Sequence, residues 1–72
     1  MSATVDRIAS KLADEALKVM DQTGNERFYV EVGDLIGSAS QTLEEAFLTE
    51  VRVRLAARQA MAYIKKHKAP ET

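Results

Sequence analysis

Hydrophobic residues recur every three or four positions along the first third of the chain, which is the spacing of one face of an α-helix. Ser2 or Thr4 can accept a hydrogen bond from the exposed amides of the first turn, and Gly24 suits the left-handed position just past a helix end. The pattern predicts an α-helix over residues 4–22. Its apolar positions are Val5, Ile8, Leu12, Ala16 and Val19.

A short segment over residues 27–32 alternates between apolar and polar positions, which is the period of a strand with one buried face. Aromatic and β-branched residues favour the same assignment. A lone strand leaves its ladder groups unpaired. We therefore expect either an extended linker or a strand that pairs with its copy in a second subunit. The residues expected to dock onto the helices are Phe28, Val30, Leu35 and Ile36.

The last third of the chain predicts a long helix over residues 42–67. Ser38, Ser40 and Thr42 are possible caps, and Thr42 with Glu45 fits a capping box, in which a hydroxyl and a carboxylate each satisfy an exposed amide. Acidic residues lie near the start and basic residues near the end, an order that complements the helix dipole. A helix of this length would reach about 39 Å. Residues 69–72 are expected to form a disordered tail.

This long helix carries two apolar faces on nearly opposite sides. One comprises Phe47, Leu48, Val51, Leu55 and Ala62. The other comprises Ala46, Val53, Ala57, Ala60 and Ile64. A surface helix needs only one such face, and the first helix can cover only one. The second face is therefore predicted to be an interface, although alanine on a solvated face is the simpler alternative.

Together these elements predict a mainly α protein, folded as an antiparallel helical hairpin in one small domain of 72 residues. The two helices would be joined by the short extended segment. A chain this short hides only about 60% of its surface when it folds alone. Since most soluble oligomers are symmetric homo-oligomers, we expect a second copy to complete the fold as a dimer.

Charge is nearly balanced overall but is divided along the chain. Ten lysines and arginines face eleven acids, for a net charge of −1. Residues 1–50 hold ten acids and four bases, whereas residues 51–68 hold six bases and no acid. Pairing between the two halves is one explanation, contact with phosphate is a second, and contact with an acidic protein partner is a third. The candidate phosphate contacts are Arg52, Arg54, Arg58, Lys65, Lys66 and Lys68.

Candidate catalytic chemistry is sparse. The chain has no cysteine, which excludes disulfides and thiolate ligands, and its one histidine, His67, lies next to lysines near the predicted end of the long helix. A general base needs a held position and an orienting partner. We therefore expect no enzyme activity, no cofactor and no metal site. No stretch approaches the roughly 20 apolar residues of a membrane span, so a soluble cytoplasmic protein is expected.

These observations favour a non-enzymatic protein–protein interaction or adaptor module that acts as a homodimer. A small nucleic-acid-binding regulator, using the basic half of the long helix, is the alternative. A different protein partner for the second apolar face remains a third possibility.

Overall fold

The computed structural model describes residues 2–70 and contains three α-helices in that part of the chain. Helix α1 spans Ala3–Thr23, α2 spans Phe28–Gly37 and α3 spans Gln41–Lys66. The predicted mainly helical class is confirmed. Pro70 is described and lies outside the helices, whereas the predicted disorder of residues 71 and 72 falls outside the described residues.

Helix α1 begins and ends as its sequence predicts. The Ser2 hydroxyl accepts a hydrogen bond from the Val5 amide at 3.1 Å. Gly24 has φ of 75°, in the left-handed region, and its amide donates to the Met20 carbonyl at 2.8 Å. A left-handed residue closes the last turn of a helix by such a bond, and glycine adopts it without steric cost. The predicted helix over residues 4–22 is confirmed to within one residue at each end.

The predicted extended segment over residues 27–32 is wrong, because residues 28–32 form the start of α2 and Arg27 is its N-cap. Its apolar residues pack as a helix does, with Phe28, Val32 and Ile36 spaced four apart and packed against the core. Tertiary packing therefore overrides the strand preference of aromatic and β-branched residues. Leu35, which was expected to dock onto the helices, is instead 73% exposed.

Two glycines allow α2 to lie close to α3. A Cβ on Gly33 would lie 3.1 Å from Leu48 Cδ2, and a Cβ on Gly37 would lie 2.5 Å from Glu44 Oε1. Both distances are tighter than ordinary van der Waals contact. The glycines therefore bring the two helices together at positions where a larger residue would displace a side chain of α3.

Helix α3 confirms the predicted long helix to within one residue at each end. Its N-cap is Ser40, whose hydroxyl accepts from the Leu43 amide at 3.1 Å, so the predicted capping box at Thr42 and Glu45 is wrong. Lys65 and Lys66 lie in the last turn, where cations favour the helix dipole.

The order of contacts along the helices corrects the predicted antiparallel hairpin. Gly33 meets Leu48 and Gly37 approaches Glu44, so α2 runs opposite to α3. Arg54 contacts Asp14 and Arg58 contacts Asp21, so α1 and α3 run in the same direction. Because α2 is a third helix, the chain reverses twice between α1 and α3 rather than once.

The core lies between the three helices and is small. Phe47 and Val51 are its largest fully buried side chains. They pack against alanines of α1, and partly buried residues of α2 close the third side. The buried cluster comprises Ala9, Ala13, Ala16, Ala46, Phe47 and Val51.

Candidate interaction surface

The second half of α3 extends past the core. Every residue from 56 to 68 is exposed, whereas buried and half-buried positions alternate with exposed ones from residue 43 to residue 55. Tyr29 of α2 and Met20 of α1 lie near Leu55, at the level where the cover provided by the first two helices ends. We refer to residues 56–68 as the overhang.

An apolar face of α3 lies bare to solvent and continues along the overhang. Val53 is 61% exposed and Ile64 is 55% exposed, with the exposed residues Ala57 and Ala60 between them. These four residues are spaced by three and four, so they lie along one side of the helix. We call them the free face of α3.

Ala46, the first residue of the predicted interface, is not part of the free face. It is only 3% exposed and belongs to the buried cluster with Ala9 and Ala13 of α1. Since α2 contacts α3 on another side, through Leu48, it is α1 that covers Ala46. The side of α3 that is covered near its start is therefore open from Val53 onward.

Two more large apolar side chains are exposed on the overhang. Met61 is 52% exposed and Tyr63 is 66% exposed. The Tyr63 ring lies against the His67 imidazole, with centroids 4.4 Å apart, and His67 Nδ1 is 3.0 Å from the Tyr63 carbonyl oxygen. These contacts lie within the last turns of α3 and leave the apolar surface of Tyr63 open to a partner.

Arg54 anchors α3 to α1. Its Nε donates to Asp14 Oδ1 at 2.9 Å and one terminal nitrogen donates to Glu50 Oε1 at 2.6 Å. The other terminal nitrogen donates to the Ser10 hydroxyl at 2.8 Å. Hydrogen bonds to Glu50 and then Asp14 raise the pKa of Arg54 above its ordinary value.

Arg58 forms a bidentate salt bridge with Asp21. Its two terminal nitrogens lie 3.0 Å from the two carboxylate oxygens. The hydrogen bond from Arg58 lowers the pKa of Asp21, and the same bond raises the pKa of Arg58. Two of the six candidate phosphate contacts are thus engaged by acids of the first half of the chain. Within residues 2–70, no ion pair is formed by Arg52, Lys65, Lys66 or Lys68.

Across residues 2–70 there is no group of three or more histidine, aspartate or glutamate side chains placed to hold a metal ion. The groove between α1 and α3 is open and lined by charged groups, several of which are already paired with one another. None of the helices described is long and apolar enough to cross a membrane.

The molecule exposes more surface than a compact chain of its mass. Its accessible area is 5536 Å², compared with roughly 4,500 Å² expected for a folded monomer of 8.0 kDa. Its radius of gyration is 14.9 Å, compared with roughly 11 Å expected for a compact domain of this length. The excess area, about 1,000 Å², is comparable to the roughly 800 Å² that each partner buries in a standard protein–protein interface.

Comparison with known proteins supplies no relative. The chain matches no family model, and no curated protein or solved structure is significantly similar to it. What this surface does must therefore be argued from its own residues.

The sequence pattern places the four residues of the free face on one side of α3, but it does not predict which other apolar side chains are exposed. Met61 belongs to neither of the two predicted apolar faces of α3, yet its exposed side chain adds to the apolar surface of the overhang. Ile8 was placed on the buried side of α1, yet it is 45% exposed. Helical periodicity gives direction around one helix, and only the placement of the neighbouring helices decides which directions are covered.

Proposed function

We propose that the protein is a non-enzymatic protein–protein interaction module that acts as a homodimer through the free face of α3. The observation that carries this proposal is the line of Val53, Ala57, Ala60 and Ile64, which no other part of the described chain covers. A helix that exposes apolar residues past the end of its own core gains free energy when a partner buries them.

The exposed area supports the proposal in magnitude. An excess of about 1,000 Å² is enough for one side of a standard interface. Large apolar side chains contribute to this exposed area, on the free face and also at Met61 and Tyr63. Aromatic residues and methionine are also the residue types that interfaces favour.

Charge supports a second copy of this chain as the partner. The first 50 residues carry a net charge of −6, and residues 51–68 carry +6. A chain whose two halves have opposite charge can complement itself, because acids at the end of the acidic half of one copy can face the basic end of another.

Sedimentation equilibrium across micromolar concentrations tests the proposal. The wild type is expected to show twice its 8.0 kDa mass. The double substitution Val53→Glu with Ala57→Glu should return it to a monomer, since burying two unpaired carboxylates is strongly unfavourable. Gln22→Glu with Gln41→Glu adds the same charge at exposed positions outside the free face, and this control should remain dimeric.

A wild type that sediments as a monomer across this range would contradict the proposal. A gel shift with mixed DNA and RNA at low salt then addresses the alternative role. Phosphate attraction is strongest at low salt, so binding by a monomeric wild type there would favour a nucleic-acid-binding regulator that uses the basic residues of α3.

A further inference from the structure

We infer that the two α3 helices of the dimer run antiparallel, with the uncovered second half of each helix lying against the same half of the other. This inference rests on the proposed homodimer and names the arrangement of its partner. It follows from where α1 lies on α3, from the charges at the two ends of α3 and from the size of the side chains along the free face.

The position of α1 is the steric reason. Helix α1 covers the free-face side of α3 at Ala46 but leaves it open from Val53 onward. In a parallel pair, the first halves of both α3 helices would lie side by side, and the two α1 helices would compete for the same space beside Ala46. In an antiparallel pair, each α3 ends near the level at which the other copy's α1 begins to cover the face.

The free face has a natural centre between Ala57 and Ala60. A twofold axis there places Val53 of one copy opposite Ile64 of the other, since the two residues are equally far from that point along the helix. Small residues at the centre let two helix backbones approach to about 8 Å. The larger residues then close the two ends of the contact.

Charge disfavours the parallel alternative more strongly. With this axis, Glu50 of one copy lies at the level of His67 and Lys68 of the other, although Arg52 then lies at the level of Lys65. A parallel pair would instead set Lys65, Lys66 and Lys68 beside their own copies. Like charges held at neighbouring positions disfavour a complex, so the parallel arrangement is electrostatically worse.

Disulfide cross-linking tests the direction, and the chain is suited to it because it contains no cysteine. Two single variants are needed, Val53→Cys and Ile64→Cys. In the antiparallel dimer the two copies of residue 53 are about 16 Å apart along the helix, too far for a disulfide, whose Cα atoms lie within about 7 Å. Residue 53 of one copy and residue 64 of the other lie side by side.

The variants are oxidised separately and as an equimolar mixture, and intact mass spectrometry identifies the products. We expect a 53–64 disulfide from the mixture and at least tenfold less product from either variant alone. Efficient cross-linking of each variant with itself would establish a parallel pair and overturn the inference. Sedimentation of the reduced variants is the control for association.

If the reduced variants are dimers and no disulfide forms under any condition, the free faces do not meet in this register and the inference is wrong. If the wild type is a monomer, the proposed homodimer itself fails. These two failures are therefore distinguishable from each other.

Discussion

Arg54 of α3 donates from Nε to Asp14 of α1 at 2.9 Å, across 40 residues of sequence. The same guanidinium also holds Glu50 and Ser10, so a single side chain joins the two helices that run in the same direction. Its side chain is only 25% exposed, which places these bonds partly out of water. Arginine suits this role because its planar fork presents several donors in fixed directions.

Removal of the Arg54 guanidinium should destabilise the protein. Arg54→Ala is expected to lower the free energy of unfolding by about 1–2 kcal/mol, since it deletes charge-assisted hydrogen bonds in a partly buried position. Arg54→Lys should lie nearer to the alanine variant than to the wild type, because one ammonium cannot satisfy acceptors in several directions. Urea denaturation at one protein concentration measures both changes.

Arg52→Ala is the matched control for this prediction. Arg52 is exposed and forms no ion pair among the described residues, so its loss should change stability by less than about 0.5 kcal/mol. An equal loss of stability in the Arg52 and Arg54 variants would show that general charge, and not the Arg54 network, is responsible.

The pair of Asp21 with Arg58 should make stability depend on pH in the acidic range. The hydrogen bond from Arg58 holds the pKa of Asp21 below its ordinary value of 3.8. Its contribution is therefore complete above pH 3.8 and is lost as the pH falls through the lowered value. The melting temperatures of the wild type and of Asp21→Asn should differ at neutral pH and converge in strong acid.

Both partners of this pair are exposed, so the difference should be small and should shrink at high salt. Thermal melts followed by circular dichroism, at low and at high salt, measure it. A gap between the two proteins that widens as the pH falls would contradict the assignment.

The helices at the two ends of the chain could be predicted from sequence because each has a regular apolar stripe and a serine or glycine near its ends. The path between them could not. Phe28, Val30 and Val32 alternate as a strand does, and they also belong to a helix in which Phe28, Val32 and Ile36 share a side. A segment of about ten residues fits both periods, and packing against α3 decides between them.

The same error makes the predicted direction of α1 relative to α3 wrong. A third helix adds a second reversal of the chain, so α1 and α3 run in the same direction and not in opposite directions. Helical periodicity places Val53, Ala57, Ala60 and Ile64 on one side of α3, where all four are exposed, and their role as an interface stays a prediction. The burial of Ala46 could not be predicted, since it depends on the angle at which α1 passes over α3.

The end of α1 offers a test of backbone conformation alone. Gly24 has φ of 75° and an added Cβ would meet nothing within 4 Å. Gly24→Ala should therefore cost about 1 kcal/mol of stability through left-handed strain and not through a clash. Gly24→Asn should cost less, because asparagine tolerates this conformation. Equal unfolding free energies for the wild type and the alanine variant in urea would contradict this account.

Hydrogen exchange should show whether the overhang is stabilised by a partner. An isolated helix of about a dozen residues is marginal in water, and every residue from 56 to 68 is exposed in the single chain. In the monomeric variant Val53→Glu with Ala57→Glu, the amides of residues 58–66 should exchange at least tenfold faster than those of residues 46–55, which pack against α1 and α2. In the wild type at concentrations that favour the dimer, burial of the free face should reduce this difference and slow amide exchange in the overhang.

The charge-matched variant Gln22→Glu with Gln41→Glu should behave as the wild type does. Overhang amides that exchange equally fast in all three proteins would mean that α3 meets no partner there.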